Sequence, residues 1–372
     1  MTISSKSLTS LFLWFFLAVL FKQILWLGVV PLWHFPDEQS HFAQLQNTAE
    51  FGVSCIGSSS DEIASSLKML GVFRNEQGRN EYTLRPWYNV PYTNSLTGLY
   101  EKQIQDLPRT YSTTQKLREA TCYPFLYYWM GSFWYNTSYE ASLINRVFVS
   151  RILSVFLFAG TVGLSFLIGK RIFQKNYLAI GVSILVGFQP MLSFVGAGVN
   201  SDPQFNFIYS LFLLGSLMVI DKTFNKGFLI LLISIIVGFL TKQQTLIALF
   251  TLPLVSMFCI KDIKEVVAKR RKLSGTLIVL ILVLLTWVME SGEINKIRDF
   301  IAAGQYDSPF KNVSLIDHFK WTLTHTYREV IPWYWGVFKW LSVTLPRWVH
   351  RTQMAILGLS GLGLGVFFLE RV

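Results

Sequence analysis

NRVFVSRILSVFLFAGTVGLSFLIG, residues 145–169, is followed at once by Lys170 and Arg171. Its only charged side chains are Arg146 and Arg151, both near its start. A helix rises 1.5 Å per residue, so this run is long enough to cross about 30 Å of hydrocarbon. Seven further apolar runs of similar kind lie at about 9–32, 177–199, 203–220, 226–241, 243–260, 273–289 and 353–369. Composition agrees with them: 52% of the 372 residues are hydrophobic, 16% aromatic and only 15% charged. Soluble chains of this size carry about 25% charged residues. An ordinary cytosolic enzyme, a disordered protein and a disulfide scaffold are thereby excluded. The expected fold is an all-α polytopic membrane protein of about eight transmembrane helices, a single integral domain over 1–372.

The net charge is +11. In a soluble domain that excess would suggest nucleic acid, but here the cations sit in short loops. Lys170, Arg171 and Lys175 follow the run above, Lys222 and Lys226 separate the next pair, and a cluster from Lys261 to Lys272 follows 243–260. Alternating threading puts all three loops on one face, and the positive-inside tendency makes that face cytoplasmic. The N-terminus is then cytoplasmic, and nucleic acid is not an expected partner. The first run has a poor signal-peptide pattern, since Lys22 interrupts it and no small-x-small site follows, so it reads as a retained anchor. Lys22 is expected to snorkel or to be shielded by a neighbouring helix.

Two long segments, 33–144 and 290–352, fall on the outer face as first and second extracytoplasmic loops. The first should hold interfacial helices rather than a separate globular core. Within it the aromatic stretch 123–136 reads as an interfacial helix continuous with the 145–169 span. Cys55 and Cys122 both lie in this loop, where one disulfide can form; Cys259 reads as an apolar residue.

Polar residues gather at the same face. His34-Phe35-Pro36-Asp37-Glu38-Gln39-Ser40-His41 follows the first span. Pro36 suits a helix start and acids suit a first turn. In a helix Asp37 and His41 share a face, and a carboxylate there can take a proton from a hydroxyl. The same residues equally suit an acidic cap on a surface helix, or, with His34, a loose divalent-cation site on Asp37 and His41. Asn200-Ser201-Asp202-Pro203 and Thr241-Lys242-Gln243 form two short outer turns, and Arg146 and Arg151 flank the outer end of 145–169. The spans carry no Asp or Glu, which disfavours a proton-coupled pump. The chain has no P-loop, dinucleotide turn, zincin helix or nucleophile elbow.

These motifs, in this order, resemble the GT-C membrane glycosyltransferases, and in particular the membrane-protein family called domain of unknown function 2142. Pro36-Asp37-Glu38-x-x-His41-Phe42, Tyr123-Pro124-Phe125-Leu126-Tyr127-Tyr128, Asn145-Arg146 through Ser154, Asn200-Ser201-Asp202, Thr241-Lys242-Gln243 and Trp335-Gly336-Val337-Phe338-Lys339-Trp340 carry the resemblance. Tyr123 and Lys339 depart from the family pattern. The resemblance implies a GT-C-like bundle with a long first loop. It implies transfer of a sugar, with inversion, from a polyprenyl-phosphate donor to a glycan, lipid or protein acceptor outside the cytoplasm, in a bacterial inner or plasma membrane. Asp37 would be the base and Glu38 its partner. His41, Arg146, Asn200, Asp202, Lys242, Gln243, Arg328 and Trp335 would bind substrate, with a divalent cation optional. Trp87, Tyr88, Trp333 and Trp335 could stack on sugar rings or anchor at the interface. The alternatives are a flippase or polymerase of lipid-linked glycans, or an inactive relative that binds a partner or lipid.

Overall fold

In a computed structural model, residues 5–52, 58–70, 72–74, 80–82, 102–110, 113–116, 123–248, 251–253, 255, 314–338 and 343–369 are described. The protein is predominantly helical. The chain divides into a unit of 1–251 with 335–372 and a second of 252–334.

In the first unit α1 (Ser5–Val29) leads into α2 (Glu38–Phe51) and α3 (Asp61–Met69). Next come α4 (Leu126–Thr137), α5 (Leu143–Phe173), α6 (Asn176–Gly187) and α7 (Pro190–Val195). Helices α8 (Asp202–Ile220) and α9 (Phe224–Phe239) follow. In the second unit α10 (Leu315–His325) continues through a π turn at Thr326–Val330, and α11 (Ile331–Trp335) carries the chain back to the first unit. The first unit then ends with α12 (Arg347–Leu369).

Among the described residues, three helices are long and apolar enough to cross a membrane: Ser10–Val29, Leu143–Phe173 and Asp202–Ile220. The expected 177–199 span is not one helix. It breaks at Phe188-Gln189, where Pro190 takes the first position of α7 and the Gln189 side chain caps Leu192 N. Proline has no N–H to continue α6, so a new helix starts there. Nor does α4 continue into α5, because a turn at Ser138–Ser142 separates them. The expected span 273–289, residues 249–250, 254 and 256–260 of the expected span 243–260, and Cys55, Cys122 and Cys259 lie outside the described residues.

The helices of the bundle approach closely where glycine permits it. A Cβ on Gly169 of α5 would stand 2.9 Å from Ala179 Cα of α6. Gly215 of α8 and Gly227 of α9 face each other, and a Cβ on Gly227 would lie 3.0 Å from Gly215 O. Small residues at such crossings are what helices in lipid use to pack. Aromatic rings hold α1 to α5, with Phe12 stacked on Phe166 at 4.1 Å. Lys22 is shielded by neighbouring helices as expected. Its ammonium donates to Gly187 O and to Ser193 Oγ (2.6 Å) and lies over the Phe158 and Phe188 rings.

The described residues of the first loop share a core with the bundle. Trp33, Phe42, Leu45, Ile63, Tyr127, Tyr128 and Tyr135 are buried together with Val147 and Leu157 of α5 and Val199 before α8. Its helices are thus set onto one end of the bundle. It also holds two short antiparallel pairings, Ser58–Ser60 with Thr113–Lys116 and Val72–Arg74 with Asn80–Tyr82. A third joins Val337–Phe338 to Val343–Thr344.

Candidate functional site

The ends of α1, α7 and α9 and the starts of α5 and α8 come to the same end of the bundle, and α2 and α4 are packed onto it. The polar residues singled out by sequence meet here. Lys242, just after α9, forms an ion pair with Asp202, the first residue of α8. The pair is partly open, with side chains 13% and 39% exposed. Asp202 N bonds to Asn200 Oδ1 (2.8 Å), and Asn200 Nδ2 donates to Pro36 O (3.4 Å), immediately before Asp37. Tyr127 of α4 closes the ring: its hydroxyl accepts from Asn200 N (2.9 Å) and shares a bond with Ser154 Oγ (2.8 Å). Leu126 N, at the start of α4, donates to Leu240 O, two residues before Lys242.

His41 is 4% exposed and lies close enough to Lys242 and Asp202 to feel both charges. Burial pushes its pKa down to about 3, Lys242 lowers it further and Asp202 opposes. It is therefore a neutral imidazole at physiological pH, with Nδ1 2.8 Å from the Tyr128 hydroxyl. Burial raises the Tyr127 and Tyr128 hydroxyls far above the ordinary phenol range, so both remain protonated.

Asp37 is the half-buried N-cap of α2, with left-handed backbone (φ 55°, ψ 13°) and no side-chain cap bond. Its carbonyl starts the helix by accepting from Ser40 N and His41 N, both at 3.0 Å. The shared helical face expected for Asp37 and His41 does not exist, because Asp37 itself is not helical.

Glu38 is fully buried and paired. Its two oxygens take Arg151 Nε and Nη2, each at 2.7 Å, and also Trp33 N and Val199 N, each at 3.2 Å. Arg151 places its other donors on Leu27 O, in the last turn of α1, and on Val30 O and Pro31 O just beyond it. Phe35 and Phe148 rings lie 4.7 and 4.4 Å from its guanidinium carbon. Arg146 does not face the Lys242 turn with an open guanidinium. It is engaged by Glu62 of α3 through two bonds (2.9 and 2.5 Å), by Tyr135 Oη (3.0 Å) and by Ala141 O. A cation on His34, Asp37 and His41 is not what the geometry provides: among the described residues no three His, Cys, Asp or Glu side chains are grouped to hold a metal.

Gln243 is half-buried on the 3-10 turn Gln243–Thr245 that follows Lys242. Arg328 is exposed in the 252–334 unit, and Trp335 ends α11. Trp87 and Tyr88 lie outside the described residues. The sequence places Tyr127 and Tyr128 in an interfacial stretch and Arg151 at the outer end of 145–169, and marks none of the three as a site residue. The available signal was Arg151 itself, an arginine within the first turns of an apolar run, which needs a partner for its charge.

A family model described as "Predicted membrane protein (DUF2142)" matches residues 20–366. The chain belongs to this family. The match runs from within α1 nearly to the end of α12, so it takes in the whole polar cluster. No curated protein and no solved structure matches the chain. Membership places the DUF2142 chain in the lipid bilayer as an integral protein.

Proposed function

We propose that this DUF2142 protein is a membrane glycosyltransferase of the GT-C type, working at the extracytoplasmic end of its bundle in a bacterial inner or plasma membrane. The observation that carries the reading is the hydrogen-bonded path Pro36–Asn200–Asp202–Lys242. It joins an acidic loop from early in the chain to a cationic turn from late in it. A base and an anion-binding cation at one site are what group transfer from a phosphate requires.

In this reading Asp37 takes the proton from the acceptor hydroxyl. The hydroxyl oxygen bonds to the anomeric carbon as the bond from that carbon to the phosphate oxygen breaks. Attack opposite the leaving group inverts the centre. The electron pair stays on the polyprenyl phosphate, which the Lys242 ammonium meets as its negative charge grows. Asp202 holds that ammonium in place meanwhile. Neutral His41 and the protonated Tyr128 present hydrogen-bonding groups without adding charge beside the sugar. A lipid-linked donor fits a chain with no nucleotide-binding motif, because it is delivered by the bilayer itself.

The test is transfer by the protein in nanodiscs, offered a panel of polyprenyl-phosphate sugars chosen by comparing cell-surface glycans with and without the gene. Asp37→Asn keeps the shape and should lower turnover about 10²–10⁴-fold. Lys242→Ala should weaken donor binding about tenfold or more. Wild-type turnover in Asp37→Asn removes Asp37 as the base. Donor affinity unchanged in Lys242→Ala removes the phosphate role.

A further inference from the structure

Two non-glycine residues near the head of α2 hold left-handed backbone, Trp33 (φ 61°) and Asp37 (φ 55°). For an L-residue that conformation is sterically strained. Such strain persists only where the surroundings over-determine it. Glu38 supplies this constraint. One of its oxygens holds Trp33 N, which closes the Trp33–Asp37 turn; the other holds Val199 N, in the strand of chain that runs on to Asn200 and Asp202. Both oxygens are also gripped by Arg151, whose remaining donors are fixed on the end of α1.

A single carboxylate therefore sets the register between the loop that carries Asp37 and the loop that carries Asp202, hence Lys242. We propose that the buried Glu38–Arg151 pair is a positioning device for catalysis, aligning Asp37 with the phosphate-binding turn. Glu38 is not itself a proton acceptor in this assignment: all four of its acceptor directions are filled. The proposal rests on the transferase reading above. It adds that catalysis is sensitive to residues that touch no substrate. Misplacing a reacting group by about 1 Å can cost on the order of 10²-fold in rate.

The molecule contains its own control. Arg146–Glu62 is a second buried arginine–carboxylate pair on the same helix, with side chains only 1% exposed, but it binds α3 and Tyr135 rather than the Asp37 loop. Glu38→Gln is expected to lower kcat ten- to a hundredfold per folded molecule while leaving the donor KM within threefold. Glu62→Gln is expected to lower the thermal midpoint and leave kcat unchanged. Arg151→Lys keeps the charge but loses the fork, and it should repeat the Glu38→Gln result. It stands in for that variant if Glu38→Gln does not purify as a monodisperse protein.

A second readout is independent of turnover. In a chain with its three cysteines replaced by serine, Asp37→Cys is labelled with a charged thiosulfonate. Adding Glu38→Gln or Arg151→Lys should change the labelling rate at least fivefold, and adding Glu62→Gln should not. An unchanged rate and unchanged kcat in the first two overturns the positioning role, as does an equal effect from Glu62→Gln. A responsive labelling rate in a wild-type protein that transfers no sugar instead overturns the transferase reading and leaves Glu38 and Arg151 as the device that holds the Asp37 loop.

Discussion

His41 shows what burial does to a single side chain here. The folded protein holds a proton off its ring down to about pH 3, whereas the unfolded chain accepts one near pH 6.5. Between these values the unfolded state binds more protons, so acid favours unfolding. The contribution of His41 to stability is complete above about pH 6.5, is lost as the pH falls and levels off below about 3. At pH 5 the loss is on the order of 2 kcal/mol. A His41→Gln variant can still bond to Tyr128 but cannot titrate. Its thermal midpoint should therefore fall less than that of the wild type between pH 7 and pH 5. Equal falls in the two proteins mean that the ring is not held neutral.

At the scale of elements, the α8–α9 hairpin decides the site from a distance. Its two helices touch at Gly215 and Gly227, near the turn. At the far end, Asp202 and Lys242 form the ion pair. A Cβ on Gly227 would lie 2.8 Å from Met218 Cβ and 2.9 Å from Val219 N, so Gly227→Val must push the helices apart. The expected cost is about 1–3 kcal/mol, measured as a lower thermal midpoint in detergent, with weaker donor binding from the separated pair. Gly181→Ala should be harmless, since a Cβ there meets nothing within 4 Å. A Gly227→Val protein as stable as Gly181→Ala would show that this crossing does not set the hairpin. The same elements show what sequence could disclose. Apolar runs are local, so α1, α5 and α8 were legible from composition alone. The α6–α7 break was readable in principle from Pro190, but the run stays apolar on both sides and conceals it. Asp37, Asp202 and Lys242 were legible as polar residues at one end of successive spans. Their pairing partners were not: Glu38 finds Arg151 across 113 positions, and no periodicity specifies that contact. The left-handed Asp37 was equally hidden, because a residue that looks like the first turn of a helix turned out to be its cap.

For the whole molecule, the two ends of the bundle differ in the charges they carry. Helix α8 runs between two ion pairs, Asp202–Lys242 at its start and Asp221–Arg171 just beyond its end. Around the second lie Lys170, Lys175, Lys222 and Lys226, the loop cations that the positive-inside tendency retains in the cytoplasm. The first end carries the buried core of the long loop and the Asp202–Lys242 pair. A lipid-phosphate donor used outside the cytoplasm requires the first end to face outward. Gln244, beside Lys242, and Thr223, in the α8–α9 turn, are both exposed and lie at opposite ends of α9. With the native cysteines replaced, Gln244→Cys should react with a membrane-impermeant maleimide on intact cells, and Thr223→Cys only after permeabilisation. The opposite pattern would put Asp37 and Lys242 on the cytoplasmic side. There, nucleotide sugars are abundant and transfer needs no lipid-borne donor.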